Sequence, residues 1–172
     1  YFHTCALTRS SGAVFCWGLN VYGQVGDGTD VNRRSPVLVP LASSAIAIGM
    51  GGYHSCAVLT SGALQCWGAN NGGQTGGPGS PNSILVPQVD SRLAGQVVLR
   101  VNAGVGHTCA VLVSGNAKCW GSNDAGELGN GVDTQGSQVQ DVMGFADGDV
   151  AFLDSGATAL TTCAITKATK QV

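Results

Sequence analysis

Gly106-His107-Thr108-Cys109-Ala110-Val111-Leu112-Val113-Ser114-Gly115-Asn116-Ala117-Lys118-Cys119-Trp120-Gly121 decides the fold, because the same arrangement stands twice before it at nearly constant spacing. The middle copy is Gly52-Tyr53-His54-Ser55-Cys56-Ala57-Val58-Leu59 with Gly62 and Cys66-Trp67-Gly68. The first is Phe2-His3-Thr4-Cys5-Ala6-Leu7 with Gly12 and Cys16-Trp17-Gly18. A weaker fourth copy, Thr161-Thr162-Cys163-Ala164-Ile165-Thr166, has Thr161 where the others have His and reaches no Trp. The period is roughly 50 residues, the range in which repeats mean propeller blades or solenoid turns.

The repeat cores lie near 1–50, 51–103 and 104–157, with a degenerate or truncated repeat over 158–172. The chain opens inside one copy and closes inside another, so it is expected to be a segment of a longer protein that supplies the remainder of the array. Charged residues make up only 10% of the 172, against a usual share of about 25%, and 27 glycines exceed typical usage. The formal charge of −2, with Lys and Arg scattered apart from Arg33-Arg34, leaves no footprint for a phosphate backbone, so nucleic acid is not an expected partner. No apolar run approaches the length of a membrane span.

Each unit also holds Asn-x-x-Gly-Gln/Glu-x-Gly, over 20–26, 70–76 and 123–129; unit three has Glu127 where Gln24 and Gln74 stand. Turn-formers at fixed offsets specify one loop shape. Polar stretches that differ between units follow, over 27–35, 77–83 and 130–138. Then come pairs of short apolar runs, Val37–Val39 with Ile46–Ile48, Ile84–Val86 with Val97–Val101, and Val139–Val142 with Val150–Leu153. These read as strands. With the two strands of the Cys motif, a unit holds four strands and no helical period, which is the content of a propeller blade.

The motif strands can be put in register. If Leu59 faces Ala63 across Thr60-Ser61-Gly62, then Cys56 faces Cys66, and Gly62 takes the left-handed position that a three-residue hairpin loop needs. The same counting sets Cys109 opposite Cys119 and Cys5 opposite Cys16, at separations of about 4.5 to 5.5 Å that a disulfide tolerates. In Cys56-Ala57-Val58-Leu59 small or apolar residues take both parities, as expected of a sheet covered on both faces.

Gly-x-x-His-Thr/Ser-Cys-Ala-Leu/Val, then Gly, then Cys-Trp-Gly-x-Asn-x-x-Gly-Gln/Glu-x-Gly, resembles the repeat of the regulator of chromosome condensation family. The resemblance implies an all-β propeller, typically of seven blades, of which this chain supplies three four-stranded blades and part of a fourth. The paired cysteines look like the subset found in secreted or surface proteins, which implies an extracellular or cell-surface location. The family's nucleotide-exchange residues have no counterparts here.

Disulfides are the leading reading of the three cysteine pairs, each closing a loop of about 11 residues and contributing roughly 2.5 to 3 kcal/mol in the chain-entropy model. Reduced buried thiols and a metal site are the alternatives; the spacing argues against metal, and the partner of Cys163 stays open. His3, His54 and His107 recur at equivalent positions and are read as structural hydrogen-bonders, most simply to a neighbouring blade's backbone. Trp17, Trp67 and Trp120 are read as wedges between blades. No nucleophile with a base, paired acids or phosphate loop is indicated, so neither enzyme activity nor a cofactor or metal is expected.

The function expected is a structural or binding module that meets a protein, or a glycan, through its loops, with Arg33, Arg34 and Asp133 as candidate contacts. The alternatives are a guanine-nucleotide exchange factor, by family analogy, and an enzyme-inhibitor-like propeller.

Overall fold

The computed structural model describes residues 2–76, 81–133, 136–145, 148–156 and 160–167. Thirteen strands run through them in chain order. They are β1 (His3–Leu7), β2 (Val14–Gly18), β3 (Arg33–Leu38), β4 (Ala45–Met50), β5 (His54–Leu59), β6 (Leu64–Ala69) and β7 (Ser83–Val89). After a one-turn 3-10 helix over Ser91–Leu93 come β8 (Val98–Ala103), β9 (His107–Leu112), β10 (Ala117–Gly121), β11 (Gly136–Asp141), β12 (Val150–Asp154) and β13 (Cys163–Thr166). Every pairing is antiparallel, in four sheets ordered β1-β2-β3, β4-β5-β6-β7, β8-β9-β10-β11 and β12-β13. Each apolar run found in the sequence overlaps a strand, with Val39, Val97 and Val142 lying just beyond the strand ends.

The sheets are offset from the sequence repeats. Ala45–Met50 and Val98–Ala103 close the units near 1–50 and 51–103, yet they form the first strands of the following sheets. A connection of only three residues, closed by Gly51 N–H donating to His54 O at 2.9 Å, turns β4 directly onto β5. β4 and β8 approach so closely that a Cβ on Gly49 would lie 2.9 Å from Val101 O. In a ring of radiating sheets, that closeness marks the side of the axis.

The hairpins hold the expected register, with Cys5 opposite Cys16, Cys56 opposite Cys66 and Cys109 opposite Cys119. All three pairs are disulfides, with Cα atoms 4.1 Å apart. Gly62 has φ +81°, as its loop requires. Gly68, after Trp67, has φ +102°, and a Cβ there would stand 2.6 Å from Tyr53 O, so Cys-Trp must be followed by glycine.

The core lies between sheets rather than within one. One cluster joins Cys5, Cys16 and Val14 of the first sheet to Ala57 and Trp67 of the second. Another joins Cys56, Cys66 and Leu64 of the second to Val101, Ala110 and Trp120 of the third. A third joins Cys109, Cys119 and Leu128 to Val150 and Leu153. Strand alternation therefore turns each disulfide toward the following sheet, and Trp67 and Trp120 toward the preceding one. β5, β6 and β9 are buried along their whole length, as two-sided covering demands. Among the described residues no helix is long and apolar enough to cross a membrane.

Candidate interaction surface

The loops that could meet a partner are mounted on a framework held together by one repeated relay. His3 Nε2 lies 2.8 Å from Ser55 Oγ of the next sheet, and Ser55 donates to Gln24 O at 3.0 Å. Trp67 Nε1–H donates to the same carbonyl at 2.9 Å. His54, Thr108, Gln74 O and Trp120 repeat the arrangement at 2.8, 2.8 and 2.9 Å. The expectation of a backbone partner for the histidines is thus corrected. Each ring meets a hydroxyl, which passes the contact on to a carbonyl of the histidine's own sheet.

The proton count fixes the tautomer. Each hydroxyl spends its hydrogen on the carbonyl, so it accepts from Nε2–H, and Nδ1 is left buried with no protein partner. A proton placed on Nδ1 would be an unsatisfied buried charge. Burial accordingly pushes His3 from 6.5 down to about 4 and His54 to about 3, the latter helped by His107 and His3. Burial lowers His107 too, against the opposing pull of the Glu127 carboxylate.

Each loop then starts from an Asn-organised turn. Asn20 Oδ1 accepts from Val25 N–H at 2.8 Å, and Asn20 Nδ2 donates to Thr29 O and Val31 O. Asn70 Oδ1 accepts from Thr75 and Gly76, and Asn123 Oδ1 from Leu128. Gln24, Gln74 and Glu127 each accept from the backbone N–H two residues earlier, at 2.9 Å, which is why Glu can replace Gln. The connections β2–β3, β6–β7 and β10–β11 leave the same end of their sheets, and so do the β4–β5 and β8–β9 turns. Residues 77–80 and 134–135 of the second and third loops lie outside the described residues.

Arg34 and Asp133 are exposed on this rim. Arg33 is not free in the same way: its guanidinium bonds Asp27 and Thr29 Oγ1, bracing the loop from within. Partial burial works against the Asp27 charge, but hydrogen bonds from Thr29 and Arg33 outweigh it and hold that carboxyl below its usual range. Residue-type reasoning passed over Tyr22, which is 38% exposed and meets Tyr53 edge-on at 5.3 Å between ring centroids. The signal was present: the corresponding positions in the third repeat hold Ala125 and Gly106. It also passed over Arg92, which pairs with Asp90, bonds Gly73 O and Ser137 O of neighbouring sheets, and stacks over Trp120. Among the described residues no three His, Cys, Asp or Glu gather as metal ligands.

The regulator of chromosome condensation (RCC1) repeat model matches residues 11–58, and a second model of that repeat matches 45–74 and 98–127. The chain belongs to the RCC1 repeat family. Human probable E3 ubiquitin-protein ligase HERC4 is 37% identical over 133 residues, which is 76% of this chain but 12% of the ligase. Prp20p from Saccharomyces cerevisiae, at 23% identity, matches in fold with a TM-score of 0.77 over 89% of this chain and 39% of its own. The ectodomain of receptor kinase CR4 from Physcomitrella patens, at 25% identity, matches with a TM-score of 0.54 over 97% of this chain and 36% of its own. The RCC1 segment described here thus spans a minor part of these relatives.

Proposed function

We propose that this RCC1 segment is a protein-recognition module that works through the loops of one rim, outside the cell or at its surface, with no catalysis of its own. The observation that supports the reading is the contrast within each repeat. The disulfide, relay and Asn turn recur from unit to unit, while the polar stretches beyond the turn differ. A stiff scaffold with dissimilar loops is suited to recognition, and Tyr22, Val21 and Val31 give the first loop the exposed aromatic and apolar area on which protein contacts depend. Prp20p is described with its binding to Gsp1p and histones, which supports a protein as the partner class. Three disulfides suit an oxidising compartment, and the likeness to a receptor ectodomain agrees with that. The ligase activity in the name of HERC4 does not transfer across a 12% overlap.

The test is to replace residues 27–35 with a Gly-Ser linker and measure binding to the partner captured by the unaltered chain. Binding should be lost while folding persists. Binding that survives replacement of all three loops would overturn the reading, and accelerated GDP release from a small GTPase would put an exchange factor in its place.

A further inference from the structure

Charge is spread unevenly between the two ends of the sheets. The loops of the rim, over 19–32, 51–53, 70–82, 104–106, 122–135 and 155–162, hold Asp27, Asp30, Asp124, Glu127 and Asp133 but no Lys or Arg. Half of the chain's 10 acidic residues thus stand there without a base, in a chain whose whole formal charge is −2. Arg33 and Arg34 open β3 beside them, and Arg33 is spent on Asp27. The other ion pairs among the described residues join Asp90 to Arg92 and Asp141 to Lys118, so Asp30 and Asp133 are exposed with no cation of the described chain against them. At the junction of the first and second sheets this charge meets apolar surface. Asn20 Nδ2 donates to Val31 O at 3.1 Å, which folds the loop so that Val21 and Tyr22 lie beside Asp30 and Val31. Tyr22 reaches across the junction to stand edge-on to Tyr53. At the next junction the corresponding positions are Gly72 and Gly106, so the aromatic pair marks one place on the rim.

We propose that Val21, Tyr22, Asp30, Val31 and Tyr53 form the docking site for an arginine-bearing segment of a partner protein, which rests on the rim being the recognition surface. Charge complementarity selects the occupant. A cationic segment is drawn to a rim whose loops carry only carboxylates, whereas phosphate backbones and anionic membrane surfaces are repelled. Arginine fits both components of the patch. Its planar guanidinium stacks on a tyrosine ring and offers a carboxylate such as Asp30 a fork of N–H donors, while its methylene stem covers apolar area such as Val21 and Val31.

The probe is the peptide Gly-Arg-Leu-Arg-Gly, blocked at both ends and titrated against the full chain, with Gly-Glu-Leu-Glu-Gly as control and backbone amide chemical shifts as the readout. The arginine peptide should move the amides of Tyr22, Asp30, Val31 and Tyr53, and the glutamate peptide should move none of them. Tyr22→Ala should weaken the arginine peptide about fivefold and Asp30→Asn about threefold, and raising salt from about 0.05 M to about 0.5 M should weaken it roughly tenfold. Arg9→Ala, in the hairpin loop at the opposite end, should leave it unchanged. Equal binding of the two peptides, shifts confined to the end that carries Arg9, or indifference to both rim variants would overturn the proposal. A captured partner that is lost when 27–35 is replaced, yet binds Asp30→Asn as tightly as the unaltered chain at every salt concentration, would overturn the arginine segment and leave the rim as the recognition surface.

Discussion

Cys56 and Cys163 hold the same place in copies of one motif, yet Cys56 is shut between two sheets and Cys163 lies open to solvent. The strands around them differ in the same way. β5 and β9 are buried along their whole length, β1 only at Cys5, and β13 is mostly exposed. The local sequences are too alike to cause this; a second sheet on each face does. In a repeat array the neighbour, and not the repeat itself, supplies the burial. Trp17 and Trp67 make the same point, since Trp67 has the preceding sheet's Gln24 O to bond and is fully buried, while Trp17 has no such sheet among the described residues and is half-buried.

The sharpest way to break this comparison is to remove the two indoles separately. Trp67→Ala should cost about 3 to 5 kcal/mol by urea denaturation, as for a large ring removed from a packed core. Trp17→Ala should cost far less, and equal costs would end the comparison. Thr108→Val comes next, because it strips the hydroxyl from between His54 and Gln74 O, leaving the buried His54 Nε2–H unpaired while Gln74 O keeps Trp120 Nε1–H, and should cost about 1 to 3 kcal/mol. The equivalent change at exposed Thr4 should stay within about 0.5 kcal/mol.

Acid probes the same interfaces. The histidine pKa values are lower in the folded chain than the 6.5 expected unfolded, so the unfolded chain binds protons first as pH falls. Stability should hold above about 6.5 and then decline toward about 4 for His3 and about 3 for His54, by up to about 1.4 kcal/mol per pH unit for each. Urea midpoints taken down the pH scale measure it. His54→Gln keeps an N–H donor without titrating and should flatten the decline. At the small end, Arg34→Ala and Asp133→Ala should leave stability within about 0.5 kcal/mol. Arg33→Ala, which frees Asp27, should cost up to about 1 kcal/mol.

The hairpins were legible in the sequence because counting outward from Gly62 leaves one register, and that register carries the cysteines into opposition. Two-sided burial was legible as well, from the absence of alternation in Cys56–Leu59. The sheet boundaries were not, since an apolar run such as Ala45–Met50 does not say which neighbour it pairs with; the brevity of the turn at 51–53 was the available clue. The relay joins residues about 50 positions apart, beyond the reach of local pattern. Its trace was a hydroxyl after every His position, Thr4, Ser55, Thr108 and Thr162, kept even where Thr161 replaces the His. Among the candidate contacts, residue type alone could not separate Arg34, which faces solvent, from Arg33, which is turned into its own loop.

Amide hydrogen exchange on the native chain tests most directly whether neighbours supply the burial. Protection at Cys56 and Cys109 should approach that of global unfolding, with Cys5 lower and Cys163 exchanging fastest of the four. Similar protection at all four cysteines would contradict the account, because it would mean that each copy of the motif is stabilised from within.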